Sequence, residues 1–254
     1  MVMSGHSKWA TIKRQKGVAD IKRGKIFTKL ANTITIAVRQ GGNVVDPNGN
    51  PRLRIAIDAA RASNMPKENI ERAIKRALGR QGESMEEAVY EGFGPGGFSV
   101  IVEAVTDNKQ RTISEVKNIF DKNGGSLGSS GAVSYQFSQK GCITVDKSGK
   151  SLDDIFLIAA DSEAEDVEDA GSEALIYTTP QDLAKVRDAV GSAGLTILSA
   201  GLVRKPVISV SLTDRDTIQK ALSFMEKLED LDDVQEVYAN FDIPTASVAE
   251  TKTS

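Results

Sequence analysis

Four features of the chain have residue types and spacings that could do chemistry. Gly92, Gly94 and Gly97 carry the spacing GxGxxG within Glu91-Gly92-Phe93-Gly94-Pro95-Gly96-Gly97. In a dinucleotide-binding unit this motif follows a strand and opens a helix, so that the helix N-terminus meets the pyrophosphate. Here it precedes an apolar run, Phe98–Val105, and a proline sits inside it, so it reads as a tight hairpin between two strands. A second glycine-rich stretch, Asn123–Gly131, could cradle a phosphate or be a plain loop. It lacks the lysine of GxxxxGK[ST]. Trp9 stands among Lys8, Lys13 and Arg14, where a ring could stack on a splayed base or dock its helix on the core. Asn108, Lys109 and Arg111 lie between a strand and a helix, placed to contact phosphate or to cap the helix.

Much catalytic chemistry is excluded. The chain has one cysteine, Cys142, and one histidine, His6. That leaves no internal disulfide, no cysteine-based zinc site and no multi-histidine metal site. A Ser-His-Asp triad would have to use His6, close to the chain end. Cys142 reads as a structural thiol. No HRD or DFG accompanies the glycines, which removes a kinase. The expectation is a protein that is not an enzyme, with no metal, no cofactor and no small-molecule substrate. No apolar run approaches the roughly 20 residues of a membrane span, and Met1–Gly5 has no signal-peptide core. The expected location is cytoplasmic, with no membrane partner.

The charge is unevenly spread. The net charge is −3. Residues 1–80 hold 17 Lys and Arg against 5 Asp and Glu, giving +12, while residues 81–254 hold 15 against 30, giving −15. Such asymmetry points to a basic part that binds a polyanion, although a solvated lysine-rich face would give the same count. Within the basic part Lys8, Lys13, Arg14, Lys16, Lys22, Arg23, Lys25 and Lys29 face a single acid, Asp20. Residues 151–173 hold nine Asp and Glu and no Lys or Arg, so they repel phosphate.

The elements that must position these groups follow from periodicity. Ser7 can cap a first helix through about Gln15. A second runs from about Lys22 to Arg39, with Phe27, Leu30, Ile34 and Val38 at helical spacing and Lys22, Lys25 and Lys29 on another side, in water. Gly41-Gly42 ends it. A third helix starts at Asn50-Pro51 and buries Leu53, Ala56, Ile57 and Ala60. A fourth starts at Met65-Pro66, with Ile70, Ala73, Ile74 and Ala77 inward and Arg72, Lys75, Arg76 and Arg80 outward. The short turn between these two fits a helix-turn-helix or a plain helical hairpin. After Gly82 the pattern changes to apolar strands at Ala88–Phe93, Phe98–Val105, Val133–Phe137, Ile143–Val145, Ala174–Thr178, Thr196–Leu202, Val207–Leu212 and Val234–Phe241, plus one near Val167. Helices fall between them at Thr112–Lys122, Leu152–Ala160, Pro180–Val190 and Asp214–Leu228.

The expected fold class is α+β: a basic helical domain at residues 1–80 followed by two ferredoxin-like α/β domains. Four helices suffice for two such sheets, and residues 142–203 already make a full β-α-β-β-α-β set. They are therefore expected to be inserted into a domain made of residues 83–140 and 205–241. The tail 245–254 has no apolar pattern and is expected to be disordered.

Gly5-His6-Ser7-Lys8-Trp9, Lys22-Arg23-Gly24-Lys25-Ile26-Phe27, Pro51-Arg52-Leu53-Arg54, Asn64-Met65-Pro66, Ile70–Ile74, Tyr90–Gly97 and Thr106-Asp107-Asn108 with Arg111-Thr112 together resemble the YebC family over about residues 3–241. Its members are called probable transcriptional regulatory proteins, and mitochondrial relatives activate translation of a cytochrome c oxidase subunit. Ala132 stands where serine is usual. The resemblance implies a helical N-terminal domain, two α/β domains, no catalysis, and a nucleic-acid target that is promoter DNA for some members and the ribosome for others. It carries the basic segment onto Lys8, Lys13, Arg14, Lys22, Arg23 and Lys25, and an Asn-x-x-Arg loop onto Asn108 and Arg111.

The expected function is a non-enzymatic, DNA-binding regulator of transcription. The alternative is a ribosome-associated translation factor that binds ribosomal RNA. The expected contacts are Lys8, Trp9, Lys13, Arg14, Lys16, Lys22, Arg23, Lys25, Lys29, Arg52, Arg54, Arg72, Lys75, Arg76, Asn108, Lys109 and Arg111.

Overall fold

The computed structural model describes residues 21–79 and 85–244, with side chains from Gly24 onward. The readings on Ser7–Gln15 and on residues 245–254 lie outside the described residues, as do Lys8, Trp9, Lys13, Arg14 and Lys16.

Three helices come first: α1 (Ile21–Gln40), α2 (Pro51–Ala62) and α3 (Lys67–Leu78). The second half of α1 is buried on nearly every side, at Asn32 and at Ile34 through Val38. One side chain ties its end to the next helix. Asn50, itself buried, accepts from Leu53 N at 3.1 Å as the cap of α2. Its amide donates to Ala37 O at 2.9 Å and to Val44 O at 3.1 Å. Pro51 takes the first turn of α2, where no N–H is required. Leu53, Ala56, Ile57 and Ala60 then face inward, as do Ile70, Ala73 and Ala77 of α3.

The rest of the chain forms β1 (Glu86–Phe93), β2 (Ser99–Thr106), α4 (Lys109–Lys122), β3 (Ser126–Leu127), β4 (Phe137–Asp146), α5 (Leu152–Asp161), β5 (Asp166–Ala170), β6 (Glu173–Thr178), α6 (Leu183–Ser192), β7 (Thr196–Pro206), β8 (Val210–Ser211), α7 (Arg215–Glu229), β9 (Val234–Ala239) and β10 (Phe241–Asp242). The protein is α+β, with two four-stranded sheets of order β3-β1-β2-β9 and β5-β6-β4-β7. The second follows β-α-β-β-α-β in chain order and has the ferredoxin-like strand order. The first, with its neighbours antiparallel, runs 3-1-2-4 in chain order where the second runs 2-3-1-4. Its connection differs, because β1 reaches its place as a hairpin with β2 and not between the two helices.

That connection corrects two strand readings. Val133–Phe137 alternates like a strand, but Ser134–Gln136 is a 3-10 turn and only Phe137 enters β4. Val207–Leu212 contributes just Val210–Ser211, paired in parallel with β10 outside either large sheet.

By compactness the chain divides into two units. One gathers the described parts of Met1–Lys29, Gly82–Ser138 and Lys205–Ser254; the other gathers Leu30–Gln81 and Gln139–Arg204. The core of the first holds four phenylalanines packed edge to face. Phe98 lies 4.7 Å from Phe241 and 6.2 Å from Phe224, and Phe120 lies 4.9 Å from Phe224, between ring centroids. In the second, Ile143, Val145, Ile155, Ile176, Val186 and Val190 form the centre, and Ile55 of α2 packs against it.

Phe224, on α7 and fully buried, packs against two of the other three rings, Phe98 and Phe120. Phe224→Ala is expected to cost about 3–5 kcal/mol. Denaturant unfolding followed through the tyrosines checks this; a loss below about 1 kcal/mol would refute the shared ring cluster.

Candidate nucleic-acid interface

The expected contacts do not form one uniform free surface. On α1, Lys25 Nζ donates to Asp230 O at 2.8 Å and Lys29 Nζ donates to Glu229 O at 2.7 Å. Those carbonyls end α7, where unsatisfied C=O groups and the negative end of the helix dipole attract cations. Both lysines had been placed in water. The correction has a plain cause: amphipathic spacing shows that they avoid the apolar stripe, but not that another helix ends beside them. Lys22 and Arg23 lie on the same helix.

Arg54 and Arg76 are also committed within the fold. Arg54 Nη2 lies 3.5 Å from Asp188 Oδ2. Arg187 donates to Asp188 Oδ1 and, at 3.0 Å, to Asp58 Oδ2, so alternating charges join α2 to α6. Arg76 reaches from α3 back to α1, donating from Nη2 to Asn32 Oδ1 at 2.7 Å and to Thr35 Oγ1 at 3.0 Å. Thr35 in turn donates to Ala31 O and Ala73 O. Arg52 donates to Gln40 Oε1, a neutral partner, and has no ion pair among the described residues. Arg72 and Lys75 are exposed on α3.

The Asn108–Arg111 loop is a cap and a clamp. Asn108 Oδ1 accepts from Arg111 N at 3.1 Å, opening α4. Lys109 pairs with Glu86, which raises its pKa. Arg111 Nη2 lies 2.8 Å from both Asp107 Oδ1 and Asp233 Oδ2. Thr112 Oγ1 donates to the same Asp233 oxygen at 2.7 Å and Thr106 Oγ1 at 3.0 Å. Burial works against the Asp233 charge, but the bonds from Arg111, Thr112 and Thr106 outweigh it and hold that carboxyl below its usual range. The turn from Glu229 to Asp233 thus takes up Lys25, Lys29 and Arg111 together.

Packing and an internal carboxylate account for these glycine loops. A Cβ on Gly92 would lie 2.5 Å from Ser126 O, and one on Gly94 would overlap the Phe98 ring, so these glycines serve close packing. Glu91 is buried, and its carboxylate accepts from Gly131 N at 2.9 Å and from Val133 N and Ser134 N at 2.8 Å each. Burial raises its pKa, yet these bonds to the charged form win and the net shift is downward. An internal carboxylate occupies the amides that a phosphate would need. Sequence reading weighed only the glycines of this motif. Alternation gave no signal for the buried Glu91, since Val89 and Phe93, which share its strand face, are exposed. Nothing in the sequence marked Asp233 or the carbonyls ending α7.

Comparisons with known proteins agree with this fold. Residues 7–80 match the model described as the TACO1/YebC protein N-terminal domain, and residues 85–241 match TACO1/YebC second and third domain. A probable transcriptional regulatory protein of Sulfurihydrogenibium sp. is 50% identical over 244 residues, covering 95% of this chain and 96% of that one. One from Acidothermus cellulolyticus is 48% identical over 250 residues, covering 98% and 100%. The crystal structure of a conserved hypothetical protein from Aquifex aeolicus superposes with a TM-score of 0.84 at 46% identity, over 89% of this chain and 92% of that one.

Two outcomes follow from the geometry. Glu91→Gln is expected to cost about 1–3 kcal/mol near neutral pH. Because the folded pKa is depressed, that advantage is full above the unfolded value of about 4.3 and fades as pH falls through the folded one. Urea titrations across this range check it; a pH-independent difference would refute an ionised anchor. In the free protein, acylation by an amine-reactive ester is expected to be slower at Lys25 and Lys29 than at Lys75. Equal rates, read by mass spectrometry, would refute the contact with α7.

Proposed function

The chain belongs to the TACO1/YebC family, and on that premise we propose that it is a non-enzymatic regulator of gene expression that binds nucleic-acid phosphates through residues 1–80. The observation that carries this is the charge split, +12 against −15. A local excess of that size attracts a polyanion, and the acidic remainder turns it away from other faces. Supporting it, α3 presents exposed Arg72 and Lys75, and Arg52 keeps its charge beside Gln40. The relatives' description as probable transcriptional regulatory proteins favours DNA as the polymer, in the cytoplasm. The division into a basic domain at 1–80, a domain of 83–140 with 205–241 and an inserted domain at 142–203 belongs to the same proposal.

One observation favours the second reading, a translation factor docking on ribosomal RNA. Between Lys67 and Leu78 only Asn69 is of the Asn or Gln type that reads adenine edges. Such a helix suits backbone contact better than sequence readout. Its distinguishing partner would be ribosomal RNA and not promoter DNA.

The joint change Arg72→Glu and Lys75→Glu is expected to weaken binding to duplex DNA about tenfold or more, and to reduce the log–log salt slope by about two. Fluorescence anisotropy across a salt series measures both. Unchanged affinity and slope would refute a role for α3. Crosslinking in cells, followed by sequencing of the attached nucleic acid, separates promoters from ribosomal RNA.

A further inference from the structure

The loop that Glu91 pins carries an aromatic ring whose faces stay in water, its hydroxyl alone being engaged, as acceptor from Gln136 Nε2 at 3.3 Å. Tyr135 is 71% exposed, more than any other large apolar side chain among the described residues. Its surroundings are held unusually firmly. Val133, on one side, is fully buried and donates its N–H to Glu91. Ser134 donates to the same carboxylate. Gln136, on the other side, accepts from Val207 N at 2.9 Å through its carbonyl, and its side-chain oxygen accepts from Asn240 Nδ2 at 2.9 Å. Asn240 is itself buried and bonded to Ser99 in both directions. A buried charge and a buried amide therefore fix the backbone on both sides of a ring left in water.

The chemistry around the ring selects among ligands. Residues 123–138 and 205–213, joined by the Gln136–Val207 bond, contain no Asp or Glu, although residues 81–254 carry 30. A phosphate backbone meets no acidic side chain from these two segments. Ser129 and Ser130 offer hydroxyls in the same loop, the Ser134 hydroxyl being taken by Glu91, and Val207 and Ile208, 60% and 55% exposed, lie within the second segment. A fixed aromatic face with nearby hydroxyls, on segments without acidic residues and with the Glu91 charge buried and bonded to their amides, is what an unpaired base can use. A duplex, whose bases are already stacked, cannot use it.

We propose that Tyr135 is a stacking platform for an unpaired base of single-stranded RNA, a second contact distinct from the phosphate-binding residues 1–80. This rests on the nucleic-acid reading above and adds to it a preference for a splayed single strand. Because the loop is ordered before binding, little of the stacking energy is lost to ordering it.

The test uses the full chain and fluorescence anisotropy with two probes, a single-stranded RNA of about 12 nucleotides and a DNA duplex. Tyr135→Ala is expected to weaken RNA binding about tenfold, with the salt slope unchanged because no phosphate contact is lost. Duplex affinity stays within about twofold. Tyr135→Phe and Tyr135→Trp keep the RNA affinity, since either ring stacks. Ultraviolet crosslinking is expected to place the RNA on the peptide containing Tyr135. If Tyr135→Ala binds RNA as tightly as the parent, the platform is refuted while the nucleic-acid reading stands, and the ring is then a contact for protein. If Tyr135→Phe is as weak as Tyr135→Ala, stacking is refuted. If the parent binds neither probe, the nucleic-acid reading fails and this inference fails with it.

Discussion

A carboxylate removed from water organises the part of the chain that looks most like a phosphate site. Alone, a buried glutamate would cost several kcal/mol or take up a proton. Glu91 does neither, because three backbone N–H groups converge on it. The exchange works in both directions. The charge is satisfied without a cation, and amides in an irregular loop are satisfied without a strand partner. Val133 can then be buried beneath the loop, and the loop is held against β1, where Gly128 N also bonds Glu91 O at 2.8 Å. The same bonds decide a functional question. Amides already facing an internal anion do not form a cradle for an external one.

A similar economy governs the cations. Residues 1–80 carry 17 Lys and Arg, and the fold itself uses part of that charge. Lys25 and Lys29 answer the carbonyls at the end of α7. Arg54 joins a charge chain to α6, and Arg76 bridges α3 and α1. These groups are partly solvated, so each contact contributes modestly. Their effect is mainly one of placement: a lysine held by a helix end is a weaker competitor for phosphate than one in open water. Charge count predicts the sign of a partner well. It predicts the individual contacts poorly, because every cation can be claimed first by the protein itself.

Much of the architecture was legible in the sequence, because periodicity reports directly on which face is buried. The helix read at Leu152–Ala160 is Leu152–Asp161, and the strand read at Ala174–Thr178 is Glu173–Thr178. The inward residues of α2 are those its spacing named. The two misread strands share a cause. Val133–Phe137 and Val207–Leu212 have the right alternation, but a strand also needs a partner with free hydrogen bonds. For the first segment the amides are taken by Glu91; for the second, Pro206 ends β7 and only two residues find β10. The side-chain partners of the candidate site were not legible at all. Lys29 and Glu229 lie 200 residues apart, and no local pattern encodes that they meet.

The acidic remainder has structural partners as well as an electrostatic effect. Lysines outside the run 151–173 neutralise part of it, through Lys140 with Glu165, Lys147 with Asp169 and Lys185 with Glu163. Asp153 and Asp154 sit in the first turn of α5, where negative charge is favoured by the helix dipole, and Asp154 completes a capping box with Ser151. These carboxylates therefore have structural reasons to be present. Their sum still repels phosphate over about a Debye length, 8–10 Å at physiological salt. A polyanion approaching a molecule of net charge −3 is thus not simply repelled. The fields of the basic residues 1–80 and of the acidic remainder act on it with opposite sign, and residues 123–138 and 205–213 add no acidic side chain to the second.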